Sequence, residues 1–324
     1  MSEIVSVVER ARKAFATVSQ IEAALARAPT DRALQLNLSA MQKMAAQSEQ
    51  QLLAFSQRSY VDVCNYRLLP QPSNNYGFSL QHVSRSLLEY QNMFTQIYDA
   101  KKNGPKDRAV FGREAQQEST LELAYTYSGS LGVVLFSQSD RDLLSGKLDS
   151  SIDALYQVVE VDTRKKVREV ASNLGNAVVK RVYDWSDANI KGGFAADMRW
   201  NRSDGRQLGE VIERERMEGI VEVIDATSDS KTKDIETVGI LFGGNIGSRS
   251  FHFVVPNGDV YRGHLVADFD RTTEMTLGKF YRARIRETET FHYATERAEK
   301  QYDLLYLEPA SSLPFDDAAK PEAS

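Results

Sequence analysis

The chain has 324 residues, 42% of them hydrophobic and 26% charged, with a formal net charge of −5. That length allows two or three domains with sizeable cores, and the charge argues against a protein coated with nucleic acid over its whole surface. Cys64 is the only cysteine, which excludes an intramolecular disulfide and thiolate zinc clusters.

The first segment, MSEIVSVVERARKAF, carries a charge every few residues and lacks the apolar run of a secretory leader. Nowhere does an apolar run approach the roughly 20 residues a bilayer needs. Both point to a cytoplasmic protein with no membrane partner.

Residues 1–57 predict an antiparallel, coiled-coil-like helical hairpin. Ile4, Val8, Ala11, Phe15, Val18 and Leu25 recur in steps of three and four on the first helix, with one step skipped at Glu22. Leu34, Leu38, Met41, Ala45, Ser48, Leu52 and Phe55 do so on the second. Between them ARAPTD supplies a stop at Pro29 and a cap at Thr30 or Asp31. So narrow a seam buries little alone, and it reads as a surface for an oligomer or a partner, or as a hairpin folded back on its own domain.

Residues 58–216 read as a mixed α+β domain. RSYVDVCNYRLLPQPSNNYG is a strand and a loop, and Ser79 then caps a helix ended by KKNGP. TLELAYTYSGSLGVVLF is a hairpin turning at Ser128–Ser130. Two helices follow, marked by Ile152, Leu155 and Val159, and by the apolar positions from Val167 to Trp185. Phe194, Ala196, Met198 and Trp200 then share one face of a short strand, and Leu208, Val211 and Ile212 predict a last short helix.

From Met217 to about residue 310 the pattern is strand-like, with SDSKTKD read as a turn. Five or six strands in this length fit a small OB- or SH3-like β-barrel. Residues 311–324 are polar and are expected to be a disordered tail.

No motif for a cofactor or a nucleophilic triad is present, so none is expected. GGNIGS at 243–248 is followed by a strand, whereas a phosphate loop must lead into a helix. Cys64, in a strand-like stretch, reads as a small core residue. In KFYRARIRE, alternation puts Tyr281, Ala283 and Ile285 inward and Phe280, Arg282, Arg284 and Arg286 outward. A basic ladder beside a ring is a way to hold single-stranded nucleic acid, although an exposed strand carries charge for other reasons too. In FHFVVPNGDVYRGHL, a three-residue loop at Asn257–Asp259 would bury one consistent face and set His252 opposite His264. Two opposed imidazoles are the nearest thing to a metal site in the sequence, short of the three or four ligands a tight site needs.

The chain is therefore expected to be a non-enzymatic binding or scaffold protein that self-associates or docks a partner through its hairpin. The alternatives are a nucleic-acid-binding factor using the arginine face, and an enzyme whose middle domain gathers Tyr66, Tyr125, Tyr127 and Trp200 into a cleft.

Overall fold

A computed structural model describes residues 2–70, 78–127, 131–138, 146–270 and 275–310, with the side chains of residues 2–5 excepted. The Ser128–Ser130 turn and the tail expected at 311–324 lie outside these residues. The chain divides into two compact units: Met1–Thr227 with Tyr293–Glu296, and Ser228–His292 with Arg297–Ser324.

The first unit opens with helices α1 (Ser2–Arg27) and α2 (Arg32–Ser59). The second begins at Asp31, whose carboxylate accepts from the backbone N–H groups of Ala33 and Leu34 and so satisfies two donors of the first turn. Strand β1 (Val61–Pro70) follows, then α3 (Leu80–Asn103), α4 (Arg113–Glu118), β2 (Glu122–Tyr127) and β3 (Leu131–Gln138). Helices α5 (Lys147–Val158), α6 (Arg164–Leu174) and α7 (Asn176–Gly192) lead to β4 (Phe194–Asn201), β5 (Gln207–Ile212) and α8 (Arg214–Asp225).

The five strands form an antiparallel sheet in the order β2-β3-β1-β4-β5. Period-2 alternation divides its side chains between two environments. Cys64 and Tyr66 of β1, with Met198 and Trp200 of β4, are fully buried against the α3 and α7 side. There both indoles donate to phenols: Trp185 Nε1 to Tyr66 Oη at 3.0 Å, and Trp200 Nε1 to Tyr90 Oη at 2.9 Å. The Tyr66 and Tyr90 rings stack 4.4 Å apart. Burial pushes the Cys64 thiol up to about 12, so it behaves as a core side chain and not as a nucleophile.

On the other face, Val63, Tyr125, Val134 and Phe136 pack against Val7, Ala11 and Leu52 of the helical hairpin. The buried positions of α1 are Val7, Ala11, Ala14, Val18 and Ile21. Val8 and Phe15, expected in the seam, are only partly buried and pack on the sheet cluster. The apolar stripe is wider than a seam because α1 has two neighbours, α2 and the sheet.

Three expectations for the first unit need correction. Leu208, Val211 and Ile212 lie on strand β5, which pairs with β4, where a helix was expected. The stretch after Met217 is helical: Met217, Ile220 and Ile224, spaced three and four apart, are the buried positions of α8. The long helix expected up to Trp185 breaks at Gly175. That residue has φ +93°, and a Cβ there would sit 2.3 Å from the Lys106 backbone nitrogen, so the chain turns where no side chain fits.

The second unit contains β6 (Ser228–Asn245), β7 (Ser250–Val254), β8 (Val260–Leu265), β9 (Phe280–His292) and β10 (Arg297–Pro309). They close into a barrel in the order β10-β8-β7-β6-β9, with β10 also paired to β9. Counted along the unit this is 1-2-3-5-4, with the third and fifth strands parallel. The barrel is small and filled: Leu241, Phe253, Ala283, Ile285 and Leu304 are almost wholly buried at its centre. SDSKTKD is not a turn but the first part of β6. Its weak strand formers are held by cross-strand partners on β9, including Lys233 with Glu287 at 3.1 Å and Asp234 with Arg286 at 3.1 Å.

Asp62 on β1 is fully buried, with one oxygen accepting from the Ser203 N–H at 2.6 Å and the other without a hydrogen-bond partner among the described residues. Burial raises its pKa to about 6, against the opposing pull of the Ser203 hydrogen bonds. The folded state thus holds this proton more tightly than the unfolded chain. The stabilisation is present below pH 4 and is lost as the pH rises through 6, a change on the order of 3 kcal/mol. Urea denaturation across that range should show the decline, and Asp62→Asn should flatten it.

Candidate functional site

The outer face of the unit 1 sheet is covered by the hairpin only in part. Where β1, β4 and β5 run beyond that cover, the same alternation that buries Met198 and Trp200 turns Asp197, Arg199 and Asn201 outward. Register sets Asn65, Arg199 and Gly209 in one row across the three strands, and Arg67, Asp197 and Val211 in the next. Glu49 and Leu53, one turn apart on α2, form the wall. The resulting cleft encloses about 430 Å³, within the usual size range of small-molecule sites.

Asp197 is the electrostatic anchor of the floor. Its carboxylate is almost fully buried, accepts from Arg199 Nε at 2.9 Å and lies 3.6 Å from Arg67 Nη1. The Asp197 hydrogen bond raises the pKa of Arg199 further. Asn65 accepts a hydrogen bond from Tyr127 through Oδ1. Glu49 is half-buried, and desolvation raises its pKa while the charge of Arg199 pulls it down. The arrangement can bind through opposite charges and amides. Among the described residues no three His, Cys, Asp or Glu side chains gather as a metal-holding group.

None of these residues stood out in the sequence. The even positions from Phe194 to Trp200 are the apolar face, and alternation puts the charged pair Asp197 and Arg199 on the odd positions of the opposite face. Glu49 is invisible as a site residue because its role depends on where α2 meets the sheet. The four aromatics expected to share a cleft do not: Tyr66 and Trp200 lie in the helix-side core, while Tyr125 and Tyr127 face the hairpin, with the Phe15 ring 6.1 and 5.4 Å away.

Of the hairpin residues, Ala11, Val18 and Leu52 are buried within the chain, and Val8, Phe15, Leu25, Leu34, Leu38, Met41 and Phe55 are partly so. The side chain of Ile4 lies outside the described residues. Ala14, Val18 and Ala45, with Phe15, Leu38 and Met41 against them, form a cluster of hairpin residues only. Farther out, Leu36 and Met44 are 74% and 54% exposed.

On the barrel, Arg282, Arg284 and Arg286 project outward as alternation requires, and Phe280 is partly buried. Two arginines have acidic partners on β6: Arg284 with Glu236 at 2.9 Å and Arg286 with Asp234 at 3.1 Å. Glu287, next along β9, pairs instead with Lys233 at 3.1 Å and Lys300 at 3.2 Å.

The histidine pair is not opposed. Val255 N–H bonds to Asp259 O, and Gly258 N–H to Val255 O, so the three-residue loop is Pro256–Gly258. His252 faces Arg262, and His264 faces Ser250. The inward face is as expected, with Phe251, Phe253, Val255 and Leu265 buried. The shift by one residue comes from Gly258, whose φ of +93° takes the left-handed position that ends such a loop. The opposition that a shared metal required is therefore absent.

Comparisons with protein-family models, with curated proteins and with solved structures found no match for this chain. Among the described residues no helix is long and apolar enough to cross a membrane.

The acidic partners on β6 limit what the arginine ladder can offer a phosphate backbone. Asp234→Asn combined with Glu236→Gln should raise affinity for single-stranded DNA at low salt by about tenfold, with the gain lost on adding salt. Fluorescence anisotropy on labelled oligonucleotides measures this.

Proposed function

We propose that this chain is a binding or scaffold protein that associates with a second copy of itself through the outer length of its helical hairpin. The observation that supports this reading is the stripe Leu36, Ala40 and Met44 on α2. These residues lie four apart on one helix face, and all are exposed. Burying a leucine or methionine contributes about 1.5–3 kcal/mol, so a stripe of this kind favours a partner.

Its pattern favours a like partner. Leu36 and Met44 flank Ala40 symmetrically, so two antiparallel α2 helices crossing at Ala40 would bring Leu36 of each copy against Met44 of the other. This is the self-complementarity of a two-fold contact, and a small residue at the crossing lets the helices approach closely. The proximal hairpin, seated on the sheet through Val7, Ala11 and Leu52, would hold the arm in a fixed direction.

Sedimentation of the full chain over a range of concentrations tests the reading. The expected result is a concentration-dependent dimer that Leu36→Glu with Met44→Glu converts to monomer, with circular dichroism unchanged. A single-chain mass at every concentration would exclude it. Point substitutions are preferable to deleting the hairpin, which would strip Val63, Val134 and Phe136 of their cover.

A further inference from the structure

The cleft beside α2 is lined by three carboxylates, Glu49, Asp197 and Glu210, and one guanidinium, Arg199, and they are not paired off evenly: Glu210 is held by Arg216 outside the lining. Asp197 engages both Arg67 and Arg199. Glu49 has no hydrogen-bond or ion-pair partner among the described residues, although it is half-buried. The one cation whose charge reaches it, Arg199, is held toward Asp197 through Nε.

That grip has a consequence for the other end of the guanidinium. With Nε committed to Asp197, the two terminal nitrogens of Arg199 make no hydrogen bond or ion pair among the described residues, and its side chain is 60% exposed. A guanidinium fork offered this way suits a carboxylate. Gly209, opposite Arg199 on the edge strand β5, puts no side chain over it. The cleft therefore holds an unpartnered carboxyl on one wall and a half-used guanidinium on the floor, more than 4 Å apart.

We infer that this cleft binds a small zwitterion of amino-acid size, its ammonium on Glu49 and its carboxylate on the terminal nitrogens of Arg199. A ligand with a single charge would satisfy one of these groups and leave the other as it is. The amide of Asn65, oriented by Tyr127, and the side chain of Gln207 supply further polar contacts. Leu53 and Leu208 give an apolar boundary against which a short side chain can rest.

Isothermal titration of the full chain tests this directly. The probes are the twenty standard α-amino acids and γ-aminobutyrate, with ethylamine and acetate as single-charge controls. At least one zwitterion is expected to bind, more tightly than either control. Glu49→Gln should weaken that binding by about tenfold or more, the cost of removing a charge-assisted contact. Arg199→Lys keeps the charge but loses the fork, and should weaken it as well. Circular dichroism establishes that both variants remain folded. Failure of every zwitterion to bind at millimolar concentration would overturn the inference. So would ethylamine or acetate binding as tightly as the best zwitterion, or binding indifferent to Glu49→Gln.

Discussion

Strand β1 has to satisfy two unlike surroundings at once, and the first unit is arranged around that requirement. Its even-numbered residues enter a closed core in which Tyr66 must find partners away from water, and it does so with Trp185 and Ser86. An indole or phenol left unpaired at that depth would cost about 1–3 kcal/mol. The polar contacts between the sheet and the α3 and α7 side therefore fix how those helices sit on it. The odd-numbered residues look the other way, toward the hairpin at Val63 and toward the cleft at Asn65. One strand thus ties the helical core, the seat of the arm and the floor of the cleft to a single register.

This explains what could be read in the sequence and what could not. The hairpin, the Asp31 cap, the face made by Phe194, Ala196, Met198 and Trp200, and the inward Tyr281, Ala283 and Ile285 all follow from local periodicity, and the structure has them. The failures lie where a partner distant in sequence decides. Leu208 to Ile212 is a strand because β4 offers it an edge, and Lys231 to Asp234 are strand residues because Glu289, Glu287 and Arg286 stand opposite. A signal for the latter was available, since KTKD and RETE are complementary when written antiparallel. The cleft was least legible, because Glu49 and Arg199 are 150 positions apart and nothing local links them.

The barrel shows the same division. Its inward residues announce themselves by alternation, but the outward charges acquire meaning only from their neighbours. Arg284 and Arg286 read alone are a cationic ladder; set against Glu236 and Asp234 they become cross-strand pairs that help hold β6 in register. Gly258 fixes the β7–β8 register in a similar way, by its backbone conformation and not by any side chain.

The short segment Tyr293–Glu296 belongs to the first unit, although the strands on either side of it belong to the second. Tyr293 and Ala294 are buried there, and the Glu296 carboxylate accepts from the Ala109 N–H at 2.6 Å. The first unit is therefore incomplete until Glu296 has been synthesised. During translation its sheet and helices can assemble, but the Ala109 amide waits for an acceptor made 187 residues later. The order of synthesis and the order of structural completion therefore differ.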